Sequence, residues 1–224
     1  MSGGLHPTTP GAADRERGPG NDARPTFSRY QSYATSDFDW IGDLPSHWDV
    51  RQLRHIFRVE NGGTPRSGDL ENWDGEVDWI TPDDLGKLGS HYFDESRRKL
   101  SDVGQQNAGA DTVPAGSIAL SIRAPIGYAA IGRRPFCVNQ GCRALVLKME
   151  GPVEYWLYAL LAAREVLKSW GQGSTFMELG RSYLLNLRLP VPTRDEQRAI
   201  AAFLDRETAK IDALIEKKRA LSQM

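Results

Sequence analysis

Apolar residues follow different rhythms in different parts of this chain, and the clearest rhythm lies at its C-terminal end. From Leu189 the sequence reads LPVPTRDEQRAIAAFLDRETAKIDALIEKKRALSQM. Pro190 and Pro192 stop whatever precedes them. Thr193 stands three residues before Glu196, the spacing of a capping box in which hydroxyl and carboxylate each satisfy a free N–H at a helix start. Beyond it there is neither Pro nor Gly, and good helix formers dominate. Ile200, Leu204, Ile211, Leu214 and Leu221 are spaced by fours, threes and their sums, as in a heptad seam. Phe203 and Ile215 widen it, whereas Glu207 and Lys218 interrupt it. A helix of this length runs on the order of 45 Å. It either packs on its own domain or projects and pairs with another helix. The continuation of the seam into the last turn favours the second.

A second rhythm occupies 113–147. Ser117–Ile122 alternates, Tyr128–Ile131 resumes after a bend at Pro125–Gly127, and Phe136–Leu147 holds one or two further strands. Short strands joined by Gly/Pro turns predict a mixed or antiparallel sheet. A third rhythm, broad and helical, covers Pro152–Trp170 and predicts an apolar helix lying on that sheet. Residues 171–180 form a turn-rich loop, and Leu184–Pro190 reads as a final strand.

The remaining stretches are less periodic. Met1–Arg29 is rich in Gly, Pro and charge and is expected to be disordered, as a passive tail or as one touching a DNA backbone through Arg15, Arg17 and Arg24. An aromatic opening segment, Phe38–Trp48, pins the chain start onto the core. Val50–Glu60 reads as a strand running into a short helix or bend. The loop NGGTPRSG, 61–68, lacks the G-K-[ST] ending of a phosphate-cradling loop. It is either a plain turn or a turn facing DNA with Arg66 and Ser67. An Asp-Gly turn precedes a short strand at Val77–Ile80, and Asp83 and Asp84 are helix-capping carboxylates rather than an acid pair. Residues 87–99 carry Lys87, Arg97, Arg98 and Lys99 interleaved with Tyr92 and Phe93, which suits either a nucleic-acid contact or a solvated face.

Composition narrows the function classes. A formal charge of −1 does not advertise a polyanion binder, but a basic face can coexist with acid elsewhere. Cys137 and Cys142, without a second pair or a nearby His, are a poor zinc site and read as buried strand thiols. No apolar run approaches a membrane span and no hydrophobic signal core is present, so a cytoplasmic protein with reduced thiols is expected. No nucleophile elbow, cofactor glycine fingerprint, amino-methyltransferase signature or nuclease constellation can be assembled. Catalysis by this chain, and any cofactor or metal of its own, is therefore not expected.

Five segments in register carry a resemblance: WIGDLPSHW at 40–48; GGTP at 62–65 with WDGEVDWI at 73–80; VPAGSIALSIRAPIG at 113–127; GSTFMEL at 173–179; and LPVPTRDEQ at 189–197 with AIAAFLD at 199–205. Together they closely resemble the specificity subunit of type I restriction-modification systems, over nearly everything from Phe38 onward. The resemblance implies a mixed α+β, β-rich target recognition domain followed by a long helix able to form a coiled coil, here 30–190 and 191–224 after the tail 1–29. It implies a non-catalytic chain that reads half of a split double-stranded DNA sequence. The chain would dock methyltransferase subunits, which use S-adenosylmethionine, and a motor-nuclease subunit.

Family members of full length carry two such domains and two helices paired antiparallel. This sequence holds one of each, so a half-length form that homodimerises, or pairs with a second specificity chain, is expected. The alternative is a truncated remnant that acts as a scaffold without reading DNA. Side-chain chemistry suggests DNA contacts from Arg66, Ser67, Lys87, Arg97, Arg98, Lys99 and Arg123, the last projecting from a sheet edge. It suggests interface contacts from Phe203, Leu204, Ile211, Leu214 and Ile215.

Overall fold

A computed structural model describes residues 30–172 and 177–222. Contacts divide the chain after Gln31, and the architecture below is that of the second unit. Residues of the N-terminal tail and part of the GSTFMEL segment lie outside the described residues.

In chain order, β1 (Tyr33–Thr35) pairs with β2 (Asp43–Pro45), and β3 (Asp49–Gln52) leads through the one-turn helix α1 (Leu53–Ile56) into β4 (Phe57–Asn61). β5 (Trp73–Ile80), α2 (Pro82–Lys87), β6 (Tyr92–Phe93), β7 (Lys99–Leu100) and α3 (Asp102–Ala108) follow. Next come β8 (Ile118–Ser121), β9 (Ala129–Gly132), β10 (Phe136–Val138) and β11 (Cys142–Leu147). The chain finishes with α4 (Val153–Ala162), α5 (Arg164–Ser169), β12 (Gly171–Gln172), β13 (Glu178–Leu179), α6 (Arg181–Asn186), β14 (Arg188–Val191) and α7 (Arg194–Ser222).

The central sheet has five strands in the order β4-β11-β8-β9-β6, antiparallel except for the β9–β6 pair. A three-stranded sheet, β10-β5-β7, packs beside it. Alternation along the central strands sorts side chains between two cores, so all four residues of β8 are buried. Ile118, Leu120, Ile131 and Leu145 point to the helical side with Trp156, Leu160 and Leu167. Ala119, Ala130, Cys142 and Ala144 point the other way, toward Phe93, Phe136 and Val138. Small side chains on this second face let the aromatic rings approach, and Phe93 meets Phe136 edge-on at 4.9 Å. Both cysteines are buried and unpaired. Burial pushes the Cys137 thiol up to about 12 and raises that of Cys142 as well.

Several local expectations need correction. Asp74–Gly75 is not a turn ahead of the strand but lies inside β5, where Trp73 and Val77 both pair with Leu100 across a bulge. The 152–170 helix is two helices broken at Ala163. Leu184–Asn186 is helical, closing α6, and only Arg188–Val191 is strand. Asp102–Ala108 forms a helix capped by the Ser101 hydroxyl, a signal overlooked because the segment has no apolar stripe. Thr81 and Asp84 form a capping box at α2, as expected of capping carboxylates.

α7 begins as its sequence predicts. The Glu196 carboxylate accepts from Thr193 N–H and O–H at 2.9 and 2.7 Å, and Glu196 N–H reaches the Thr193 hydroxyl at 3.4 Å. His47 and the Trp48 indole N–H also contact this carboxylate, at 2.8 and 3.2 Å. Burial alone would raise its pKa, but the hydrogen bonds from Thr193, His47 and Trp48 prevail and hold it at about 2.

Candidate nucleic-acid interface

The cations singled out from the sequence fall into three places. Arg66 and Ser67 are exposed on the loop after β4. That loop is tied to the second sheet by its own main chain: Asn72 donates its amide to Arg66 O at 3.0 Å, and the Trp73 indole donates to Ser67 O at 3.2 Å. Arg98 joins this group, its guanidinium lying 3.5 Å from the Trp73 ring centroid.

The second place is an acidic-basic ridge. Lys87 and Arg97 both reach Asp83 at 2.9 Å, and Arg97 is also 3.8 Å from Asp84. Lys99 lies 3.8 Å from Asp78 and 3.7 Å from Glu95. Arg133 and Arg134 pair with Asp94 and Glu95. Five cations thus face five carboxylates. These charges neutralise one another in pairs, most of them at the surface with Asp78 buried, and their field largely cancels.

Arg123 occupies the third place, apart from the others. Its Nε donates to Glu178 at 2.8 Å, and the two residues form an isolated bridge. Around them the fold gathers residues that sequence reasoning did not single out. Arg143, on β11, stands opposite Asn61 at the end of β4. Arg181, the first residue of α6, donates to the Asn61 side-chain oxygen at 3.0 Å. Gln140 accepts from the Thr64 hydroxyl. The first two glycines of the 61–68 loop, Gly62 and Gly63, make this possible. A Cβ on Gly62 would sit 1.9 Å from Asn139 O, and one on Gly63 would sit 1.8 Å from Ala108 O. The only sequence signals for this cluster were turn residues, Asn-Gly-Gly and Asn-Gln-Gly, separated by 78 positions between Asn61 and Asn139.

The predicted interface residues divide along α7. Ala201 is 4% exposed, and Ile200 packs on the helical core. Tyr158 of α4 donates to Asp205 at 2.7 Å and contacts Thr208 at 3.3 Å. Phe203 and Leu204 are half-buried. After Thr208 the helix leaves the body: Ile211, Leu214 and Ile215 are 55%, 66% and 43% exposed. Among the described residues no group of three or more His, Cys, Asp or Glu could hold a metal ion, and no helix is long and apolar enough to cross a membrane.

Comparison with known proteins bears on the whole arrangement. The family described as type I restriction modification DNA specificity domain matches residues 45–222. The chain is 36% identical over 187 residues to the type I restriction enzyme MjaIX specificity subunit of Methanocaldococcus jannaschii, covering 82% of this chain and 42% of that protein. It is 26% identical over 164 residues to the EcoR124I/EcoR124II specificity subunit of Escherichia coli, covering 70% and 40%. In fold it is similar to the HsdS subunit of Thermoanaerobacter tengcongensis, with a TM-score of 0.62 and 21% identity over 83% of this chain and 42% of that one. It is equally similar to a chain from a structure of the type I R-M system, with a TM-score of 0.64 and 24% identity over 81% and 43%. The chain therefore spans less than half the length of these relatives. A β-rich body, a long C-terminal helix and a match running from Pro45 to Ser222 lead to one conclusion: the chain belongs to the type I restriction-modification DNA specificity domain family.

Proposed function

We propose that this chain is a DNA-reading specificity element of a type I restriction-modification complex, with residues 30–190 acting as one target recognition domain and 191–224 as the spacer helix. The observation that carries this reading is the family match over 45–222 together with 36% identity to a relative named as a specificity subunit. On this reading the chain binds one half-site of double-stranded DNA and performs no catalysis. Methyltransferase and motor-nuclease subunits supply the chemistry. Arg66 and Arg98 near Trp73 offer cations to DNA directly and Ser67 offers a hydroxyl, whereas Lys87, Arg97, Lys99 and Arg123 would exchange carboxylate partners for phosphate.

The outer part of α7 supports pairing with a second helix, either from another copy of this chain or from a second specificity chain. Its exposed apolar residues are costly to leave in water in a row, and a facing helix would cover them. A homodimer with two-fold symmetry would read a palindromic split site.

Two measurements test the proposal. Selection from a pool of random duplexes, by the chain with its methyltransferase subunit, is expected to enrich one short motif. Enrichment of nothing overturns the DNA reading. Light scattering is expected to give a dimer for the full chain and a monomer for a chain ending at Lys210. That cut preserves the packed turns around Ala201, which a cut at Thr193 would remove. A monomer for both overturns the homodimer.

A further inference from the structure

The cluster around Arg143 has a charge balance unlike that of the ridge. The Arg143 guanidinium feels those of Arg181 and Arg123, in a patch where Glu178 is the one carboxylate acting on it among the described residues. Arg123 is hydrogen-bonded to that carboxylate. Arg181 donates, among the described residues, to a neutral amide oxygen, that of Asn61. Arg143 donates from one terminal nitrogen to the main-chain carbonyls of Gln140 and Cys142, at 3.3 and 2.9 Å. Its Nε is buried without an acceptor among the described residues. A guanidinium stays protonated under ordinary conditions. Half-burying one with a donor unfilled is therefore costly, and an anion on its solvent-facing side would offset that cost through charge.

The patch is also rigid. Gly63 N–H donates to Val138 O at 3.1 Å, and Asn139 N–H to Ile80 O at 2.9 Å. Gly141 N–H donates to the Asn139 side chain at 2.9 Å. Gly141 O in turn accepts from Ile122 and Arg123 N–H, and Leu179 N–H closes the set on Ile122 O. Five chain segments from different parts of the sequence thus hold the patch around the arginines before any ligand is present, which lowers the ordering cost of binding.

We propose that Arg143 and Arg181, flanked by Arg123, Asn61 and Gln140, form a clamp for the phosphate backbone of duplex DNA. This rests on the DNA-reading function proposed above and assigns residues to it. A phosphate is favoured over a base edge by shape: Arg143 is recessed between main-chain carbonyls, so it meets a group that protrudes. Phosphate oxygens protrude from a duplex, whereas base edges lie inside its grooves.

The test uses the full chain and fluorescence anisotropy with a labelled duplex, titrated across a range of salt. Arg143→Gln and Arg181→Gln are each expected to weaken binding about tenfold, equally on preferred and unrelated sequences. Each should lower the slope of log affinity against log salt by about one. Lys168→Gln, on α5 and already paired with Glu165, is expected to leave both quantities unchanged. Thermal melts establish that the variants fold; Arg181 is exposed, so its variant remains informative if the Arg143 variant does not fold. Unchanged affinity and slope in the Arg181 variant overturn the clamp while the DNA reading stands. A loss confined to the preferred sequence, with the slope intact, also overturns it, because that is base recognition. No binding by the unaltered chain to any duplex overturns the DNA reading, and the clamp with it.

Discussion

The same apolar residue types meet opposite fates in the globular body and in the outer half of α7. Ile118, Leu120, Leu145 and Leu160 are 0% exposed, and each such side chain contributes about 1.5–3 kcal/mol by leaving water. Ile211, Leu214 and Leu221, of the same chemistry, are all more than half exposed. The body therefore closes its own core, whereas the outer helix offers a seam that nothing in this chain covers among the described residues. Between them lies a junction, from Thr193 to Thr208, where Ile200 and Ala201 pack on the core and polar contacts from His47, Trp48 and Tyr158 add to that packing.

Substitutions can break this contrast at each level. The largest effect is expected from Trp156→Ala. This ring is fully buried and meets Phe57 and Tyr155 edge-on at 6.1 and 5.1 Å. Its loss should destabilise the body by about 3–5 kcal/mol in urea unfolding. Gly62→Ala comes next, at about 2–3 kcal/mol, because the added methyl must push Asn139 O away. It should also weaken DNA binding by displacing Asn61 from Arg181. An Ala variant as stable as the parent would mean that the loop is less tightly held than its contacts imply.

At the junction, Glu196→Gln is expected to cost about 1 kcal/mol near neutral pH, the cap being partly open to solvent. The sign of the pH effect follows from a carboxylate depressed from 4.5 to about 2 in the folded state. Its contribution is present above about 4.5 and is lost as pH falls toward 2. Acid unfolding midpoints of parent and variant should therefore converge at the bottom of that window. Leu214→Glu is expected to have the smallest effect on the fold, within about 0.5 kcal/mol for the separated chain. Light scattering should nevertheless register it as lost self-association. A Leu214→Glu chain that unfolds much more easily would show the seam to be part of the body after all.

How much was legible beforehand depended on sequence distance. The α7 start was readable because its cap is a contact between residues three apart, Thr193 and Glu196. The four-strand run from Ser117 to Leu147 was readable because Gly and Pro mark its turns. Leu184–Asn186 was misread as strand because its apolar run is too short to distinguish a buried turn of helix from a strand. The basic ridge was visible as a run of letters, but the carboxylates facing it come in part from β5 and α2, so its near-neutrality was not. The Arg143 cluster was invisible for the same reason, since it joins residues 61, 123, 140, 143, 178 and 181.

By itself the sequence determined the elements whose signals are local: the capped helix, the strand-rich middle, the apolar helical stretch after it, and five motifs whose order marks the family. Tertiary structure decided which apolar residues found partners and which cations kept their charge unopposed. Both outcomes depend on what lies across a contact of a few ångströms. A chain folded into a mixed sheet brings residues across such contacts from positions far apart in sequence. The Asn61–Arg143 register and the departure of α7 from the body after Thr208 are decided in this way, by pairing and packing rather than by local preference.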